Sequence, residues 1–191
     1  LFQVQYPAPG SLPLAHDVQT ALKEQAPVQL DHELWGLDHG CWSVLCRMYP
    51  KAQLPVVQMS LDVRRSFAEH RALGALLQPL RERGVLIVAS GNMVHNLGRV
   101  DWNRLNEVGY AFDWAEEARS LIMDRVRNHK LDELVNYARL GTAVQNAVPT
   151  PEHFLPLLYT LALREPDEPL EVFNDYALAG SLTMTSVALG A

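Results

Sequence analysis

Between Gly84 and Ser90 the chain runs Val-Leu-Ile-Val-Ala, five apolar residues in a row, three of them β-branched. The run is too short for a buried helix and apolar on both faces, so it predicts a strand covered on both sides. Such a strand needs helices above and below it. The flanking sequence offers them. Ser66 to Arg83 carries a helical stripe of Phe67, Leu73, Leu76, Leu77 and Leu80, with Gly84 as its stop. Pro55 to Leu61 is a second strand with a near-continuous apolar core. Helices are also expected from Leu14 to Gln25, Cys41 to Tyr49, Phe112 to Asn128, Leu131 to Leu140 and Pro151 to Leu163. Short strands are expected at Pro27–Leu30 and Ser181–Leu189. Strands alternating with helices predict an α/β layered fold, a central mostly parallel sheet flanked by helices. No repeat and no Pro/Gly/Ser-rich linker divides the 191 residues, so residues 1–191 are read as a single domain.

Charge and composition exclude several functions. Sixteen Lys+Arg face 22 Asp+Glu, a net charge of −6, and no basic cluster is dense enough to neutralise phosphates. The richest stretch, Arg64, Arg65 and Arg71, is diluted by Glu69. No nucleic-acid partner is expected. No apolar run reaches the roughly 18 residues of a membrane span, so no membrane partner is expected either. Cys41 and Cys46, five apart in an apolar segment, fit neither a disulfide framework nor a zinc knuckle. They are expected to be small buried hydrophobes in a reducing compartment, which points to the cytoplasm. The opening LFQVQYPAPGS, without Met, reads as the end of one element and a loop. The expectation is that the N-terminal part of a longer protein precedes it.

Chemistry in an α/β sheet sits beyond the carboxyl ends of the strands. His95 lies five residues past Ser90, in the loop Gly91-Asn-Met-Val-His95-Asn. Imidazole titrates near neutrality and can serve as general base, general acid or metal ligand. Asp38-His39-Gly40 follows the Val28–Leu30 segment, and Asp38 is placed to orient the His39 ring. His153 lies at the start of a predicted helix, where the dipole disfavours a charged imidazolium. His16, His32, His70 and His129 read as surface residues. A G-x-S-x-G elbow, a Walker loop, G-x-G-x-x-G and HExxH are all absent. Three separate loop histidines fit a mononuclear metal site or an acid/base site.

These same stretches carry a family resemblance. YPAPGS (Tyr6–Ser11), WGLDHGCWSVLCRMYP (Trp35–Pro50), LPVVQMSLD (Leu54–Asp62), GVLIVASGNMVHNL (Gly84–Leu97), TPEHFLPLLY (Thr150–Tyr159) and SLTMTSV (Ser181–Val187) together resemble the 4,5-DOPA extradiol dioxygenases, in the protocatechuate 4,5-dioxygenase catalytic-subunit superfamily. The resemblance implies a non-haem Fe(II) or Zn(II), a DOPA-like catechol, dioxygen and a semialdehyde product. It makes His153 a metal ligand. It places His95 at the metal, as acid/base residue and sometimes as ligand. It gives His39 a contact to bound catechol or oxygen. The family's further ligands, in HGSP-like and SAHW-like segments, have no counterpart in this sequence. Two other readings remain open: a non-catalytic homologue acting as a partner-binding module, and a metal-assisted hydrolase.

Overall fold

The computed structural model describes residues 4–32 and 34–190. The chain divides into two compact units, residues 1–61 and 62–191.

The first unit holds two helices. α1, Leu12–Leu22, starts because the Ser11 hydroxyl accepts the Leu14 N–H at 3.3 Å and Pro13 supplies a preset first turn. α2, His39–Met48, starts at Asp38, whose Oδ1 accepts the Cys41 N–H at 2.8 Å. Its buried residue is Leu45. Cys41 and Cys46 are free thiols but only half-buried, not core residues as expected. Pro27–Leu30 and Pro55–Leu61 form no ladder; the Val56 N–H bonds the Pro9 carbonyl at 2.8 Å.

In the second unit the predicted helix from Ser66 to Arg83 is two helices. α3 is Phe67–Ala75 and α4 is Gln78–Glu82. α3 opens on a reciprocal capping box: Ser66 Oγ accepts from the Glu69 N–H, and the Glu69 carboxylate accepts from the Ser66 N–H at 2.8 Å. Pro79 breaks the run, since it has no N–H to return to Ala75. Gly84, at φ +78°, is the stop foreseen for it. α5, Asp113–Arg127, has Asp113 and Glu116 in its first turn and Arg125 and Arg127 in its last, matching the helix dipole. The predicted Leu131–Leu140 helix stops early as α6, Leu131–Val135, followed by a 3₁₀ turn at Tyr137–Leu140. There Asn136 Nδ2 donates to the Asp132 carbonyl at 2.8 Å, a local alternative to continuing the helix. α7, Thr142–Ala147, was not foreseen; six residues are too few for periodicity to register. α8 is Leu155–Ala162, and Pro151–Phe154, predicted to begin it, forms a turn instead. α3 packs on α8 and α5 on α7. The core between them includes Ile122, Met123, Leu134, Val144, Phe154 and Leu158, all at most 1% exposed.

Strand pairing differs from expectation. β1 (Leu170–Phe173) pairs antiparallel with β4 (Ser186–Leu189), Leu170 opposite Leu189 and Phe173 opposite Ser186. β2 (Ala177–Leu178) pairs antiparallel with β3 (Leu182–Thr183). The predicted Ser181–Leu189 strand thus splits at Met184, whose N–H turns to the Tyr176 carbonyl. Among the described residues no central parallel sheet is formed; the parallel pairing is an isolated bridge, Ala111 to Gly180. Val85–Ser90 is extended without a ladder partner among the described residues. Its side chains alternate, with Leu86 62% and Val88 43% exposed, while Val85, Ile87 and Ala89 are half-buried. A strand is buried on both faces only when neighbours flank it, and among the described residues none does. Among the described residues no helix is long and apolar enough to cross a membrane.

Candidate functional site

The loop that leaves the Val85–Ser90 segment and the turn that enters α8 lie side by side. The Asn92 N–H donates to the His153 carbonyl at 2.7 Å, and the His95 N–H donates to the Ala147 carbonyl, at the end of α7, at 2.8 Å. Asn96 Nδ2 donates to the Asn146 carbonyl at 2.7 Å. On the other side the Thr183 N–H donates to the Val94 carbonyl at 3.2 Å, and His95 bridges to Leu182 of β3. Within the loop, Asn92 Oδ1 accepts the Val94 N–H at 3.2 Å. Val94 is fully buried and Met93 nearly so, which anchors the loop into the core. The turn Pro151–Phe154 is closed by Phe154 N–H to Pro151 carbonyl, 2.9 Å, and pinned by Phe154, fully buried beside Phe67 and Tyr137.

These ties bring two residues 58 positions apart into contact. The His95 and His153 rings stack at 3.8 Å between centroids, 20° from parallel. Both side chains are half-buried. Burial, and then the neighbouring His153, push the His95 imidazole below its ordinary pKa, so it favours the neutral form. Glu152, not singled out from the sequence, stands beside the pair. The Thr150 hydroxyl, donating at 2.6 Å, holds its carboxyl below the usual range, and the charges of His153 and His95 act in the same direction. The Thr-x-Glu spacing was the available signal, but a carboxylate next to a histidine is too common in sequence to stand out.

Two imidazoles suit Fe(II) or Zn(II) in kind. They supply two of the three protein ligands usual in open catalytic sites. Among the described residues no group of three or more His, Cys, Asp or Glu is arranged to hold a metal. His39 belongs to the first unit. It is exposed, the first residue of α2, and Asp38 Oδ1 serves the helix cap beside it. His70, expected at the surface, is fully buried. Its Nδ1 lies 3.0 Å from Tyr159 Oη and its Nε2 lies 3.1 Å from the Asp62 carbonyl. The capping box fixes the start of α3 and so turns position 70 inward with Leu73. The cavity of about 590 Å³ lined by Arg71, His129, Lys130 and Asp132 contains neither stacked imidazole, and its Arg71 is already paired with Asp132.

Residues 1–189 match the family described as the catalytic LigB subunit of aromatic ring-opening dioxygenase. The chain belongs to this family. A relative from Escherichia coli (strain K12), named 4,5-DOPA dioxygenase extradiol, is 41% identical over 197 residues, covering 100% of this chain and 69% of the relative. A protein of the same name from Beta vulgaris is 36% identical over 168 residues, covering 82% of this chain and 58% of that one. A crystal structure of an uncharacterized protein from Escherichia coli K12 superposes with a TM-score of 0.88 at 39% identity, over 98% of this chain and 76% of that one. The chain therefore spans little more than half to about three quarters of the length of these proteins.

Proposed function

We propose that this protein opens the ring of a catechol, DOPA-like in character, with O2 to give a semialdehyde. The stacked pair His95–His153 is the observation that carries the proposal, because it joins two distant segments into one imidazole site. The family match and the names of the relatives support ring opening and a DOPA-like substrate. His153 and His95 are the proposed holders of an Fe(II) or Zn(II). Such an ion, when bound, orients the diol and dioxygen and passes charge between them. Where the ion rests on His153 alone, His95, kept neutral by burial, is the proposed base for a catechol hydroxyl, and the Glu152 carboxylate steadies the imidazolium that results. His39 is proposed to contact bound catechol or oxygen, where a donor would offset developing negative charge. The proposal takes residues 1–191 as one catalytic domain. Val85–Ser90 is taken as a strand of a central, mostly parallel sheet, a reading supported by its β-branched composition. A cytoplasmic setting is supported by two free thiols.

A non-catalytic homologue that binds a partner is the second reading; the two-imidazole donor set favours it. Anaerobic loading with Fe(II), followed by a catechol and then air, separates the two. A yellow semialdehyde formed only with oxygen supports the enzyme. Oxygen-independent turnover, or a loaded protein that leaves catechol untouched, refutes it.

A further inference from the structure

The two imidazoles meet because two backbone segments approach more closely than side chains normally permit. A Cβ built on Gly91 would lie 2.4 Å from the His153 carbonyl oxygen, 3.0 Å from Pro156 Cγ and 3.2 Å from the His153 carbonyl carbon. The first and last of these atoms are backbone, so no rotamer change relieves the clash. Gly91 therefore lies in a slot formed by the turn that carries His153 and by the first turn of α8. The next residue exploits the approach: the Asn92 N–H reaches the His153 carbonyl at 2.7 Å.

The remaining ties on the two segments run elsewhere. His95 is fixed by Ala147 and by β3, and the His153 turn is closed on Pro151. Gly91 and the Asn92–His153 bond connect the one imidazole-bearing segment to the other.

We propose that Gly91 is a positioning residue, whose missing side chain sets the spacing of the His95 and His153 rings. Any side chain at this position drives the turn away from the loop, breaks the Asn92–His153 bond and unstacks the rings. The cation-binding consequence rests on the function proposed above; the ring spacing does not.

The test compares wild type, G91A and S90A, the last altering an exposed neighbour. Ring-to-ring NOEs between His95 and His153 are measured in metal-free protein, and Zn(II) affinity by chelator competition. Wild type and S90A should show the NOE. G91A should lose it with its far-ultraviolet circular dichroism retained, and should bind Zn(II) roughly 10–100-fold more weakly, the usual cost of disturbing groups that orient ligands. G91A with the NOE intact and wild-type Zn(II) affinity overturns the proposal. Loss of the NOE in G91A supports the positioning even in a wild type that takes up no Zn(II), a result that sinks the metal reading alone. Should G91A fail to fold, the Asn92 amide of wild type decides. Slow hydrogen exchange there is expected, and exchange at the rate of an open amide overturns the proposal.

Discussion

Replacing Tyr159 by Phe should destabilise the second unit by far more than the loss of one hydroxyl from a surface. His70 is fully buried. The Asp62 carbonyl, 3.1 Å from Nε2, can only accept, so Nε2 carries the proton. Nδ1 is then a bare acceptor, and Tyr159 Oη, 3.0 Å away, must donate to it. Burial pushes the Tyr159 phenol up to about 12, which keeps that donor protonated. Phe leaves Nδ1 unsatisfied in the core, at a cost of about 1–3 kcal/mol. For a unit of this size the midpoint should fall by roughly 3–10 °C. Thermal and urea unfolding followed by circular dichroism measure it. Tyr137→Phe is the control, because its hydroxyl meets the Val148 carbonyl only at 3.4 Å and its loss should cost less. The reasoning also fixes a pH dependence. Burial holds the folded His70 pKa below its unfolded value. The unfolded chain therefore takes up the proton first, and stability is lost as pH falls below about 6.5, by at most about 1.4 kcal/mol per pH unit. His70→Asn should flatten that limb. Tyr159→Phe within about 0.3 kcal/mol of wild type, against the cost expected for an orphaned buried acceptor, would refute the tautomer and the bond together.

Three further outcomes are expected. Phe154→Ala should cost about 3–5 kcal/mol, since the ring is fully buried, and should also loosen the His153 turn, read as broadened His153 ring resonances. Glu168 is held below the usual carboxylate range chiefly by its hydrogen bonds with Arg81. Its contribution is present above the unfolded carboxylate pKa and lost as pH falls through the lower folded value, so Glu168→Gln should flatten the acid limb of a stability–pH curve. His95→Phe and His153→Ala should each weaken metal uptake, and His95→Phe should lower ring-opening turnover by roughly 10²–10⁴; metal analysis beside oxygen consumption measures both.

Stops were the most legible part of the sequence. Gly84 after Arg83 acts on the residues just before it, so the end it sets was foreseen, whereas the Ser66–Glu69 capping box that opens α3 was not read from the sequence. Pairing was not legible. Val85–Ser90 has the composition of a buried strand, yet burial on both faces depends on neighbours that no local pattern names. The two-residue strands Ala177–Leu178 and Leu182–Thr183 lie below the length at which alternation registers. His95 and His153 were both found from their loops, and the family resemblance assigned their roles. Their stacking depends on Gly91, whose importance is a distance to a carbonyl 62 positions away and so has no signature in local spacing. His70 was misplaced because a histidine among Glu69 and Arg71 looks solvated until the helix phase set by Ser66 is known.

The central claim is that His95 and His153 share one cation. Long-range proton–nitrogen spectra of the imidazoles, recorded as Zn(II) is added to the metal-free protein, test it directly. The account predicts that the ring signals of His95 and His153 move to metal-bound positions together, at a single equivalence point. Zn(II) uptake that shifts other histidines while these two rings stay unchanged would contradict it.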